Sequence, residues 1–338
     1  MSSQRRPRPH RPGDMARRRS GRLAALVVVI VGVVFGGTAQ MSLARLTSST
    51  TLASNTFTTA TSFDTTPPTV SSSVISKTGQ YVSGYIHPGG TYYVYANVTD
   101  SGTGVATVTA NVSNIATGST AVVLVAGSYT VNGVTYNYRS ASLTAKNPLA
   151  AGTATYSITA IDGAGNSGTT SGLTVVVDNT APFGAGIQTA DGGGTVGTIE
   201  PGDTVTYTFS EVIDPQSILG GWNGASTSVV VRFTNNARND SFAIWDSTNT
   251  FQLGLGSVNT HGDYVTGAVT IGATGTPSTM VLNNATSTIT ITFGTISGSV
   301  KNDNKKHTAA WAPSSAALDR AGNAMSTTVV NGANVKGF

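Results

Sequence analysis

The chain has 338 residues, no cysteine, 40 glycines and only 10% charged residues, with a formal net charge of +4. That composition excludes a disulfide-stapled miniprotein. It also excludes a helix-rich fold, because Glu200 and Glu211 are the only glutamates while Thr, Val and Tyr, which favour strands, are plentiful. The length suffices for two cores.

The positive charge sits at the start. Eight arginines (Arg5, Arg6, Arg8, Arg11, Arg17, Arg18, Arg19 and Arg22) face only Asp14, leaving eleven basic against fourteen acidic residues after them. The body is therefore faintly acidic and offers no basic patch for nucleic acid. After Arg22 comes an apolar run, Leu23 to Phe35, and then Ser42-Leu43-Ala44, which fits the small-x-small rule for signal cleavage. Residues 1–44 read as a basic leader with either a secretory signal peptide or an uncleaved signal-anchor helix, since the run is shorter than the roughly 20 residues that span a bilayer comfortably. Residues 45–66 form a Thr/Ser-rich spacer.

The body contains its own repeat. Asp64-Thr65-Thr66-Pro67-Pro68 returns as Asp178-Asn179-Thr180-Ala181-Pro182, and Asp162-Gly163-Ala164-Gly165-Asn166 returns as Asp319-Arg320-Ala321-Gly322-Asn323. Each half opens on the first motif and nears its end on the second, which divides the body into modules 67–178 and 179–338. In the first, period-two alternation predicts strands over 91–98, 105–112, 121–125, 134–139, 154–161 and 173–177. Tyr92, Val94, Ala96 and Val98 face inward on this reading, and Tyr93, Tyr95 and Asn97 outward. Asp100 to Gly104 and Asp162 to Asn166 are expected to close hairpins. In the second module strands are expected over 204–210, 228–234, 242–245, 250–255, 264–271 and 287–293, with loops at 273–279 and 297–308. Trp245 is expected in the core.

Several of these motifs carry resemblances. The Asp100-Ser101-Gly102-Thr103-Gly104 turn, the Ala160-Ile161-Asp162-Gly163-Ala164-Gly165-Asn166 turn and the Val175-Val176-Val177-Asp178 strand resemble the bacterial immunoglobulin-like domains of surface adhesins over about 110 residues. Thr206-Tyr207-Thr208-Phe209-Ser210-Glu211-Val212-Ile213-Asp214 and the Asp319 to Asn323 ending resemble a second bacterial immunoglobulin-like class, known from S-layer proteins. Residues 44–60 resemble the segment after the signal peptide in SipW-type substrates, which include TasA-like fibre proteins, although the usual Phe-x-Asp is missing; a plain spacer explains them equally. The resemblance implies an all-β fold of two tandem Ig-like β-sandwiches.

Chemical motifs are sparse. Outside the leader the histidines are His87, His261 and His307, without a Gly-x-Ser-x-Gly elbow, a His-Glu-x-x-His helix or a phosphate loop, so no enzyme is expected. Calcium is the chemistry the turns suggest: Asp64, Asp100, Asp162 and Asp178 lie at strand ends or linkers, with Asp162 and Asn166 beside Asp178 expected at the boundary between modules, and hard cations take carboxylates together with turn carbonyls. Hydrogen bonding of each Asp to its own turn is the competing explanation. Tyr93, Tyr95 and the loop residue Trp222 are the candidate platform for an extracellular protein or polysaccharide. The functions expected are an exported surface or matrix protein acting as stalk and adhesive unit, a self-associating fibre or S-layer-like subunit, or a carbohydrate-binding accessory of a secreted hydrolase. The partners expected are the cell envelope and an extracellular ligand, not nucleic acid.

Overall fold

The computed structural model describes residues 63–77 and 82–338, so the leader and most of the spacer lie outside the described residues. Ala60–Phe338 forms one compact unit. It is nearly all β, as the composition requires, and it holds two separate sheets with separate cores. The first contains β1 (Thr69–Ser76), β2 (Tyr85–Ile86), β3 (Thr91–Thr99), β4 (Val105–Asn111), β5 (Val122–Val131), β6 (Val134–Ser140), β7 (Leu143–Thr144), β8 (Gly152–Asp162) and β9 (Ser167–Val177). Its order is β1-β3-β6-β5-β4-β8-β9-β2, with β7 paired to β3. All pairings are antiparallel except β2 with β9.

The second sheet contains β10 (Gly184–Ala190), β11 (Thr204–Phe209), β12 (Thr227–Thr234), β13 (Ser241–Asp246), β14 (Gln252–Asn259), β15 (Val269–Ile271), β16 (Ser278–Asn283), β17 (Thr288–Thr292), β18 (Ile296–Ser297), β19 (His307–Ala312) and β20 (Val330–Val335). Its order is β10-β11-β17-β16-β12-β13-β14-β19-β20, and β15 joins β12 to β18. The sheet curls until β20 lies against β10. The helix α1 (Pro215–Ile218) is one turn, capped by Asp214, whose side chain accepts from the Gln216 amide at 3.1 Å. Among the described residues no helix is long and apolar enough to cross a membrane.

Alternation does what the sequence implied. Along β3 the inward set Tyr92, Val94, Ala96 and Val98 is fully buried with Ile75, Val108, Ile158 and Val175. Along β11 the buried residues Val205, Tyr207 and Phe209 alternate with Thr204, Thr206 and Thr208, which face the threonines of β17 across the strand pair. Tyr207 and Phe209 both meet Trp311 edge-on, with ring centroids 5.1 and 5.3 Å apart. Trp311 itself is entirely buried and donates Nε1 to the Leu255 carbonyl at 2.6 Å, so the largest fully buried side chain of this core has its one polar atom satisfied.

Three expectations need correction. Asp100 to Gly104 closes no hairpin: β3 pairs with β1, β6 and β7, while β4 pairs with β5 and β8, so the turn carries the chain between strands that are not partners. The strand expected over 264–271 shrinks to β15, because the Tyr264 and Val265 amides donate to the buried Asp240 carboxylate at 2.7 and 2.8 Å instead of to a neighbouring strand. Trp245 is only half-buried, its ring covered from outside by the Arg232 guanidinium 3.6 Å from its centroid.

Candidate functional site

Both copies of the Asp-x-Ala-Gly-Asn turn are built alike. Asp162 Oδ1 accepts from the amides of Ala164 (2.9 Å) and Asn166 (2.8 Å), and Asp319 Oδ1 accepts from Gly322 (2.5 Å) and Asn323 (2.8 Å). The tight reversal needs positive φ at the fourth position, +92° at Gly165 and +97° at Gly322, where glycine meets no Cβ penalty. Each turn then closes on the linker that opens its own sheet. Asn166 Nδ2 donates to Asp162 Oδ2 (2.7 Å) and to the Asp64 carbonyl (3.1 Å); Asn323 Nδ2 donates to Asp319 Oδ2 (2.8 Å) and to the Asp178 carbonyl (3.0 Å). The two repeated motifs, far apart in sequence, are thus the two sides of one clamp.

Around each clamp three carboxylates converge. Asp64, Asp100 and Asp162 form one triad and Asp178, Glu211 and Asp319 the other, each with one oxygen per residue inside a mutual 4.8 Å. In the first, Asp64 accepts from Thr103 N and Oγ1 and from the Thr66 amide, and the Thr103 and Thr66 amides hold its pKa below the ordinary carboxylate value. Asp100 Oδ2 accepts from Gly102 and Gly104, while its Oδ1 is buried without a hydrogen-bond partner. In the second triad partial burial, with Asp178 and Asp319 alongside, pushes Glu211 up to about 7. Such clusters suit a hard cation, whose charge offsets carboxylate repulsion and which takes lone pairs that no donor reaches.

The structure therefore regroups the sequence-derived metal set. Asp100 and Asp162 do come together, with Asp64. Asp178 does not join them, because it follows β9, and the eleven residues of β9 carry the chain to the far end of the sheet from the Asp162 turn. Asn166 turns its amide nitrogen toward the carboxylates and serves the triad as a donor, not as an oxygen ligand. Glu211 and Asp319 complete the second triad, and the signal for it was the repeat itself: Asp319 stands where Asp162 does.

The aromatic residues do not form one open platform. Tyr95 is 3% exposed, covered on the outer face of the first sheet by Tyr93 and Tyr136 at centroid distances of 6.1 and 5.7 Å. Of the three candidate rings Tyr93 alone is partly open, and the Arg139 guanidinium lies 4.6 Å from its ring and 4.4 Å from that of Tyr129. Trp222 is folded into the second core, 5% exposed, with Nε1 bonded to the Ala225 carbonyl. A flat sugar platform needs exposed faces, and these rings spend theirs on one another and on arginine.

Sequence reasoning missed the contact between the two sheets. Lys77, just after β1, donates Nζ to the Arg320 carbonyl at 3.1 Å, and Arg320 stacks its guanidinium 4.4 Å from the Tyr85 ring. Burial pushes Lys77 down to about 8, against the pull of Asp214 and Asp319. A cavity of about 280 Å³ opens beside it, lined by Lys77, His87, Tyr93, Leu318 and Gly322. A single lysine in a loop carries no periodicity or motif by which it could have been found.

No family model matches the sequence, and no curated protein does. Among solved structures, the chain is similar to the C-terminal domain of the Streptococcus pyogenes antigen I/II-family protein AspA, at 16% identity and a TM-score of 0.19, covering 80% of this chain and 98% of that one. It is similar to the BspA_C_mut chain at 14% identity and a TM-score of 0.20, covering 79% and 98%. The collagen adhesin of S. aureus follows at 12% identity and a TM-score of 0.13, covering 78% and 91%. Likeness at this level leaves the reading of the chain to its own residues.

Proposed function

We propose that this chain is an exported, non-enzymatic bacterial surface or matrix protein whose two immunoglobulin-like modules, 67–178 and 179–338, form a stalk that presents an adhesive or ligand-binding surface. The duplicated clamp carries the reading. In each copy the end of a sheet is tied by an asparagine side chain to the linker at its start, which suits a module made to be joined in series. The basic leader and apolar run support export. Expression with the native leader in a bacterial host, followed by fractionation and mass spectrometry of the N-terminus, tests it. Recovery in the envelope or medium is expected; retention in the cytoplasm would sink it.

Calcium at the two carboxylate triads belongs to the same proposal, favoured by the buried, unpartnered Asp100 Oδ1. Asp64, Asp100 and Asp162 would hold one ion and Asp178, Glu211 and Asp319 the other, stiffening each linker against its sheet.

A further inference from the structure

The two sheets can be superposed in thought by chain order and register. Asp64 corresponds to Asp178, β1 to β10, β3 to β11, Asp100 to Glu211 and the Asp162 turn to the Asp319 turn. The correspondence extends to detail: the ladders β1–β3 and β10–β11 each break register once, between Val70 and Ser72 in the first and between Gly184 and Gly186 in the second.

In one copy the turn is covered. A Cβ on Gly322 would stand 2.6 Å from Lys77 Nζ and 3.2 Å from the His87 ring, so Lys77 and His87 sit directly on the turn of the second sheet. In the other copy the turn is open. At Gly165, among the described residues, a Cβ would meet nothing within 4 Å. That end is also one-signed: the segments 63–68, 100–104 and 162–166 contain Asp64, Asp100 and Asp162 and no basic residue.

The loop that corresponds to the Lys77 loop is 191–203, at the end of β10 remote from the first sheet. Against it lies 301–306, held by the Asp303 amide on the Gly197 carbonyl (2.7 Å) and by Asn302 Nδ2 on the Val196 carbonyl (2.9 Å). Lys301 in this segment is paired with Asp263, but Lys305 and Lys306 are exposed. The remote end of the second sheet therefore presents lysines where the first sheet presents Lys77.

We infer that the open turn of the first sheet receives a second copy of this chain, docked head to tail, with Lys305 and Lys306 approaching the Asp162 turn and its acidic neighbours as Lys77 approaches the Asp319 turn. The contact is heterologous, so each copy keeps one free end of each kind and the assembly grows as a linear chain. Complementary charge brings the ends together, so association weakens with salt. The proposal goes beyond the stalk reading, which a single copy satisfies, and does not depend on where the leader sends the protein.

Sedimentation velocity in chelator, on the full chain and on the compact unit 60–338, tests it. Wild type should form larger species as concentration rises. Lys305→Glu/Lys306→Glu and Ser101→Lys, the latter an exposed position beside Asp100, should each weaken association about tenfold or more. An equimolar mixture of the two variants should recover association as far as the mixed dimer, because the intact acidic turn of one meets the intact lysines of the other. A wild type that stays monomeric, variants that associate like wild type, or a mixture that fails to recover would overturn the proposal. So would a monomeric full chain beside an associating 60–338, which would put the protein's own leading segment on the open turn.

Discussion

Asn323 donates its side-chain amide to the Asp178 carbonyl at 3.0 Å, and 157 positions earlier Asn166 makes the same bond to Asp64 at 3.1 Å. Each amide also binds the carboxylate of its own turn, so each ties the turn directly to the linker that opens its sheet. Replacing either asparagine by alanine removes two bonds, one of them to a charged group, and should cost about 1–3 kcal/mol of the stability of its own sheet. Denaturant titration of Asn166→Ala and Asn323→Ala checks this; an effect under about 0.5 kcal/mol in both would deny the clamp its role.

The paired glycines should separate backbone strain from docking. Gly165→Ala and Gly322→Ala both place a side chain at positive φ, at a cost of about 1–2 kcal/mol. Only at Gly322 does the new methyl also meet Lys77, so that variant alone should open the contact between the sheets and raise protease cleavage around 179–183. Equal cleavage in the two variants would contradict this.

Lys77 gives the contact a pH dependence. Its folded pKa, lowered to about 8 by burial, lies below the ordinary lysine value of 10.5. Between those values the unfolded chain binds more protons, so the penalty for burying the charged amine is complete below pH 8 and is relieved as pH rises toward 10. The melting temperature of wild type should therefore gain on Lys77→Met between pH 8 and 10. A flat difference across that window would show that the amine is not desolvated.

Trp311 should be the costliest single truncation in the second sheet. It is fully buried between Tyr207 and Phe209, and Trp311→Ala should lose about 3–5 kcal/mol, measurable by chemical denaturation.

How far these features were legible in the sequence follows from their range. Alternation gave β3 with the correct inward face and placed β11, because burial of one face acts on every second residue. The repeated motifs marked the turns and linkers, yet not that each turn binds its own linker. That pairing depends on where β8, β9 and β19 carry the chain, which no local pattern contains. The same range explains the split of Asp178 from Asp162, the missed β16, β19 and β20, and Trp245, whose alternation promised a core position that Arg232 fills from outside.

The central claim is that each repeat encloses a complete core, with Asn179 to Ala181 as an exposed join between them. The most direct measurement is the proton–nitrogen NMR spectrum of residues 60–178 alone. A dispersed spectrum with one set of amide peaks is the predicted result; a collapsed spectrum, with dispersion restored only when 179–338 is attached, would contradict it.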